Sequence, residues 1–213
     1  MMKSIALLAL VTSVVACNMP QPTLAEVITQ KNHKPIQPMN ITLSKTKWQL
    51  PSGHKTSYAM YGLGCFWGAE VAFRKQAGVV ATSVGYSGGA TKNPTYEQVC
   101  THKTGHAEVV LIEFDPSAVT FEQLTEKFFS YHNPTTLNRQ GPDFGSNYRS
   151  AIFYFDEEQL KVANQVKSRI EKSGKWKDPI VTQIAPAPEY FPAEDYHQRY
   201  GEKNPNYYCP IGG

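Results

Sequence analysis

The sequence predicts an α/β (α+β) fold, a single-domain two-layer sandwich of a mixed β-sheet with helices, followed by an irregular C-terminal tail. Strand-like and helix-like segments alternate from Ser57 onward. The chain has 213 residues, the length of one domain with an appendage. Hydrophobic residues make up 41% of the chain and aromatic residues 12%, which is enough for a core and argues against disorder.

The predicted strands are rich in β-branched or aromatic residues. They cover residues 58–61, 79–86, 107–114, 151–155 and 180–185. In the third of these, Val109 and Leu111 lie on one face, and Glu108 shares the other face with Val110 and Ile112.

The predicted helices have apolar residues at turn spacing, and several begin at capping residues. They begin at Cys65, after Thr120, after Asp156 and at Pro192–Glu194, with a further short helix ending at Cys100. The tail from Asn204 to Gly213 contains Pro and Gly and is predicted to be irregular.

Residues 1–16 predict a signal peptide of the lipoprotein type. Lys3 precedes an apolar stretch from Ile5 to Ala16 that is too short to span a bilayer. The sequence ending at Cys17 resembles the lipobox of bacterial lipoproteins, which implies a lipid on Cys17. The alternative is ordinary cleavage after Ala25, and both interpretations predict export.

Residues 17–55 are predicted to be a tether between the membrane and a domain covering residues 56–213. The tether contains five prolines among polar residues and lacks a sustained helical or strand period. The net charge of +3, without a long basic run, argues against nucleic-acid binding.

The most informative stretch runs from Gly62 to Glu70, where a strand leads through a glycine turn to Cys65 at a helix start. A helix N-terminus favours a thiolate, which is the nucleophilic form of cysteine. A buried structural cysteine is the alternative. The flanking glycines favour a functional cysteine because they allow a substrate close to the backbone.

Gly64-Cys65-Phe66-Trp67-Gly68 resembles the signature of the peptide methionine sulfoxide reductase A family. Five further segments, in the family's order, also look like that family. They are residues 85–89, 93–100, 104–109, 148–152 and 193–198. The similarity covers about Tyr58 to Gly213.

This resemblance implies reduction of methionine sulfoxide, both in proteins and as the free amino acid. Cys65 would be the nucleophile, and Glu108 would be the acid that protonates the departing oxygen. Phe66 and Trp67 would seat the S-methyl group. Proton donation requires a neutral carboxyl, which burial favours by raising the pKa. The alternative for Glu108 is a solvated carboxylate at a strand end.

Tyr96 and Tyr148 match family tyrosines that bind the sulfoxide oxygen, and Asp143 matches a family aspartate near the substrate. Without the resemblance, each tyrosine is equally compatible with core or rim packing. Pro142 departs from the family pattern beside Asp143, and Ser146-Asn147 depart from it between Asp143 and Tyr148.

Attack on a sulfoxide leaves a sulfenic acid, which a second thiol converts to a disulfide. Cys100 and Cys209 are both candidates for this second thiol. Cys209 resembles the resolving cysteine of the family's C-terminal tail, so the resemblance implies a Cys65–Cys209 disulfide.

Three other interpretations account for parts of the sequence. A cysteine hydrolase would pair Cys65 with a histidine, but no peptidase motif surrounds the histidines. A metal site drawn from Cys100, His102 and His106 lacks the paired spacings of zinc sites. The third is an exported binding lipoprotein without enzymatic activity.

The resemblance implies no metal or cofactor and an external thioredoxin-like dithiol as the reductant. Its A class implies the S epimer of the sulfoxide. We expect a monomer that acts on oxidised proteins of the cell envelope, with the domain facing the periplasm or exterior.

Overall fold

The computed structural model describes residues 42–47, 49 and 51–206. Nine strands occur in this part of the chain: β1 (Ser44–Lys45), β2 (Ser57–Leu63), β3 (Val79–Ser87), β4 (Ala107–Phe114), β5 (Arg139–Gln140), β6 (Asp143–Phe144), β7 (Ser150–Tyr154), β8 (Gln183–Pro186) and β9 (Tyr190–Pro192). The main sheet has the order β1-β3-β4-β2-β7-β8, and β9 also pairs with β3. The β7–β8 pair is parallel and the others are antiparallel, so the sheet is mixed, as predicted. β5 and β6 form a separate two-stranded sheet.

Five α-helices occur in the same described part. They are α1 (Phe66–Arg74), α2 (Tyr96–Cys100), α3 (Phe121–Tyr131), α4 (Glu157–Lys172) and α5 (Tyr200–Lys203), with a 3₁₀ turn at Ser146–Tyr148. Thr120 and Asp156 cap α3 and α4 as predicted, each by accepting a hydrogen bond from a backbone N–H.

The main core lies between α1, α3, α4 and one face of the sheet. Phe73, Phe128 and Val166 pack there against Val110 and Ile112 of β4. The opposite face carries a second cluster that includes Met60, Val109 and Phe153. The expected helix layer on a mixed sheet is therefore confirmed, with alternate residues of β4 directed into the two clusters.

The predicted helix at Pro192–Glu194 is wrong. Residues 190–192 form β9 on the edge of β3, and the chain becomes helical only at Tyr200. The Ala193 N–H donates to Val84 O, and the Gln198 side chain bonds both backbone groups of Val84. These long-range hydrogen bonds hold the segment along the sheet edge.

The described part of the predicted tether also differs from the expectation. Ser44 and Lys45 pair with Thr82 and Ala81 of β3, so the segment joins the sheet before the predicted domain start. Residues 1–41, including the predicted signal peptide and Cys17, lie outside the described residues. No helix in the described part is long and apolar enough to cross a membrane.

Candidate active site

Cys65 is the residue that leads from β2 into α1. The preceding Gly64 has φ +97°, and a Cβ there would lie 2.7 Å from Gln140 Cγ, so the turn requires glycine. Cys65 immediately precedes the first helical residue and is half-buried. Its sulfur therefore lies at the positive end of a nine-residue helix.

Glu108 lies beside this helix start. It is 2% exposed, and its Oε2 accepts a hydrogen bond of 3.1 Å from the backbone N–H of Phe66. This contact brings the carboxyl of β4 to the residue next to Cys65. A solvated position at the strand end is therefore wrong for Glu108.

Phe66 forms the floor of an aromatic cluster. It is 1% exposed, and its ring centroid lies 5.9 Å from that of Tyr86, 6.5 Å from that of Trp67 and 5.0 Å from that of His197. Together, these rings build an apolar wall at the start of α1.

Trp67 is held on two sides. Its indole Nε1–H donates to His197 Nδ1 at 2.9 Å. Its ring stacks on Tyr200, with centroids 3.7 Å apart and planes 7° from parallel. Burial lowers the pKa of His197, although the nearby Glu194 acts in the opposite direction, so the neutral ring that accepts from Trp67 is favoured.

Tyr96 and Tyr148 also face this site. The pKa of Tyr96 is raised mainly by burial. The hydrogen bond between Tyr96 and Cys100 and the charge of Glu108 raise this pKa further. Burial and then the charge of Glu108 raise the pKa of Tyr148. Both phenols are therefore close enough to Glu108 to respond to its charge, and both remain protonated donors.

Asp143 belongs to the small sheet formed by β5 and β6. Burial raises its pKa, and its negative charge contributes to the raised pKa of Tyr148. Asp143 therefore lies on the Tyr148 side of the site.

The structure also shows the contacts of Cys100 and His106, which the metal-site and hydrolase interpretations used. The Cys100 thiol is half-buried and hydrogen-bonds with Tyr96, and burial raises its pKa. His106 accepts from Gly89 N and donates to Thr91 O, so both ring nitrogens have backbone partners. Within the described ranges, no three His, Cys, Asp or Glu side chains are grouped to bind a metal ion. Cys209 lies outside the described residues.

Sequence reasoning gave no role to three residues that support the site, Glu194, His197 and Tyr200. Glu194 accepts hydrogen bonds from Tyr96 N and Tyr86 OH, both at 2.9 Å. Burial alone would raise the pKa of Glu194, but these hydrogen bonds outweigh burial and lower it. The similarity of residues 193–198 to the family was the one signal in the sequence.

The comparisons with known proteins agree with this geometry. A family model described as peptide methionine sulfoxide reductase matches residues 57–212. Peptide methionine sulfoxide reductase MsrA of Methanothermobacter thermautotrophicus is 57% identical over 151 residues, covering 71% of this chain and 89% of the relative.

Solved structures are also similar. The reduced form of Mxr1 from Saccharomyces cerevisiae has a TM-score of 0.70 at 36% identity, covering 79% of this chain and 93% of that chain. Mxr1 in complex with Trx2 has a TM-score of 0.51 at 27% identity, covering 80% of this chain and 96% of that chain. The chain belongs to the peptide methionine sulfoxide reductase A family and is an oxidoreductase that reduces peptide methionine sulfoxide.

Proposed function

We propose that this chain reduces methionine-(S)-sulfoxide in exported proteins, with Cys65 as the nucleophile and Glu108 as the proton donor. The observation that carries the proposal is the hydrogen bond from Phe66 N to Glu108 Oε2, which brings a buried carboxyl to the residue after Cys65. The S epimer follows from similarity to the A class.

The reaction begins when the Cys65 thiolate attacks the sulfoxide sulfur. The oxygen is transferred to Cys65 with protonation, which leaves Cys65 sulfenic acid and releases methionine after a two-electron reduction. Glu108 supplies a proton to the oxygen, a role that its match to the family's acid implies and that its buried position beside Cys65 supports.

Tyr96 and Tyr148 hold the same oxygen by donating hydrogen bonds from their phenols. Their raised pKa values favour the donor form throughout the neutral range. Phe66 and Trp67 seat the S-methyl group against an apolar surface, and Asp143 lies at the substrate's edge on the Tyr148 side.

The sulfenic acid is then resolved by Cys209, which forms the Cys65–Cys209 disulfide and releases water. A thioredoxin-like dithiol reduces this disulfide and becomes oxidised in turn, so no resident cofactor is needed. Support comes from the complex of the relative Mxr1 with Trx2. The monomeric domain acts at the cell envelope, where a lipid on Cys17 anchors it after removal of residues 1–16.

The central experiment measures release of the first methionine from a methionine sulfoxide peptide by the pre-reduced full chain. Cys65→Ser should abolish release because a hydroxyl is a far weaker nucleophile than a thiolate. Glu108→Ala should slow it by about 10²–10⁴-fold, the usual contribution of a positioned general acid. Glu108→Gln should lose less, because it keeps a hydrogen-bond donor.

Glu113→Gln is the matched control, because Glu113 is an acid of the same strand that bonds Thr56 and Lys45 instead. It should release methionine at the wild-type rate. If Glu108→Ala remains within about threefold of the wild-type rate, the carboxyl has only a structural role. Substantial release by Cys65→Ser would refute the nucleophile assignment.

The recycling step is tested by a matched pair of cysteine variants. Cys209→Ser should release about one methionine per enzyme and then stop with thioredoxin, whereas dithiothreitol should partly restore turnover by reducing the sulfenic acid. Cys100→Ser should turn over almost normally. The exchanged result would assign resolution to Cys100.

The anchor is tested by the mass of the mature N-terminus and by Cys17→Ser. This variant should leave catalysis intact and release the protein from membranes. An unlipidated N-terminus after Ala25 would refute the lipid anchor.

A further inference from the structure

Glu70, on the turn of α1 that follows Trp67, binds the segment that leads into α5. It is 1% exposed, and its Oε2 accepts a hydrogen bond of 2.7 Å from the backbone N–H of Arg199. Its Oε1 accepts from Thr82 Oγ1 at 2.8 Å. Arg199 has φ +57°, a left-handed conformation that costs free energy for a non-glycine residue. The buried carboxylate therefore stabilises a turn that the chain would otherwise disfavour.

Arg74 makes the second connection, one turn further along α1. Its Nε donates to Glu202 Oε1 at 2.8 Å, and its side chain is only 8% exposed. Its two remaining nitrogens donate to the backbone oxygens of Ser44 and Lys45 and to Thr82 Oγ1. Arg74 therefore joins α1 to both β1 and α5.

The segment from 199 to 202 approaches α1 closely between these two connections. A Cβ at Gly201 would lie 2.3 Å from Val71 Cγ2, so only glycine allows this distance. Tyr200 lies between Arg199 and Glu202, and its ring stacks in parallel on Trp67. The two connections thus fix the backbone on both sides of the residue that covers one face of Trp67.

We propose that Glu70 and Arg74 are positioning residues for the substrate pocket. They hold Tyr200 against Trp67 and so set the width of the apolar seat for the S-methyl group. This inference rests on the proposed role of Trp67, and it assigns Glu70 and Arg74 no contact with substrate.

The test uses Arg74→Gln and Glu202→Gln in the full chain, with a methionine sulfoxide peptide and pre-reduced enzyme. The half-saturating peptide concentration for first methionine release should rise about 3- to 10-fold, as expected for the loss of partly exposed charge pairs. Both variants lose the pair between Arg74 and Glu202, and Glu202→Gln also loses the pair with Arg199. The maximal rate of release should stay within about twofold, since the reacting groups are untouched.

Two further measurements separate positioning from general damage. The fluorescence emission of Trp67 is obtained by subtracting the emission of the same protein carrying Trp67→Phe. This emission should change in Arg74→Gln and in Glu202→Gln, because Tyr200 moves relative to Trp67. Thermal unfolding identifies any variant that fails to fold. Arg169→Gln is the matched control, because Arg169 pairs with Glu122 and Glu126 on the surface formed by α3 and α4, and it should change neither quantity.

Wild-type half-saturation and wild-type Trp67 emission in folded Arg74→Gln and Glu202→Gln would overturn the proposal. A fall in the maximal rate alone would also overturn it, because that result places the effect on the chemical step. The emission measurement needs no turnover, so it tests the contact even if the proposed reaction of Cys65 proves wrong.

Discussion

His132 should make the stability of this protein depend on pH in the acidic range. The side chain is 2% exposed and follows α3. Its Nδ1–H donates to Phe128 O at 2.8 Å, and its Nε2 accepts from Ser150 Oγ at 2.7 Å, so the neutral ring satisfies both partners. Burial lowers its pKa from 6.5 to about 4, and the hydrogen bond to Phe128 O opposes this only in part.

The sign follows from proton binding by the two states. Between pH 6.5 and about 4 the unfolded chain binds a proton at His132 that the folded chain does not, so stability falls as the pH falls. The pKa values differ by about 2.5, and at about 1.36 kcal/mol per pKa unit the upper limit is about 3.4 kcal/mol. About 2.5 kcal/mol of this should be lost by pH 4.5.

The assay is urea unfolding at pH 7 and pH 4.5 for the wild type and for His132→Gln, which keeps hydrogen-bonding groups but does not titrate. The carboxylates titrate in both proteins, so the difference between their pH dependences isolates His132, whose pKa is also lowered by the positive charge of Lys175. His102→Gln is the control, because it removes a histidine from an exposed position. Parallel pH dependences within about 0.5 kcal/mol would refute the reasoning.

Two further predictions concern the site. Gly64→Ala should destabilise the fold by about 1–3 kcal/mol and slow methionine release, because of its positive φ and the collision with Gln140. Gly53 also has a positive φ, but an added Cβ there would meet open space, so Gly53→Ala tests backbone strain without a collision. Urea unfolding and methionine release are measured for both variants, and equal losses would contradict the collision with Gln140. His197→Phe should raise the half-saturating substrate concentration, because Trp67 loses its acceptor. In the wild type, Trp67 emission should stay constant as the pH falls until below 6.5, and a transition above 6.5 would contradict the lowered pKa of His197.

The sequence was most informative where structure depends on neighbours along the chain. The caps Thr120 and Asp156 and the alternation in β4 depend on spacings of a few residues, and these features were predicted correctly. The same alternation placed Glu108 on the face of Val110 and Ile112 but left a solvated strand end as the alternative, and the structure shows that Glu108 is buried. Its hydrogen bond with Phe66 did not follow from the alternation, because it links residues 42 positions apart.

The C-terminal region was predicted worst, for the same physical reason. Proline followed by a glutamate is typical of a helix start. Here Glu194 binds Tyr86 and Tyr96, and Gln198 binds Val84, across more than 90 residues. The tertiary partners outweighed the local preference, and no spacing within residues 192–200 reports them.

Three carboxylates around the site share one structural role that explains its assembly. Each accepts a hydrogen bond from the backbone N–H where a helix begins: Glu108 from Phe66, Glu194 from Tyr96, and Glu70 from Arg199. These N–H groups lack partners within their own helices, so each needs an acceptor from another part of the chain. Each bond also fixes a residue of the site. Cys65 comes directly before Phe66, Tyr96 is itself the donor to Glu194, and Tyr200 comes directly after Arg199.

The hydrogen bonds of Glu70, Glu194 and Glu108 indicate different roles for these three acids. Glu70 has its two oxygens occupied by Arg199 N and Thr82 Oγ1, and those of Glu194 are occupied by Tyr96 N and Tyr86 OH. Acids whose oxygens both accept protein hydrogen bonds are suited to positioning, because protonation would break a bond that holds the fold. Glu108 instead adjoins Cys65 and lies near both phenols that face the site, and this position supports the role of proton donor proposed for it.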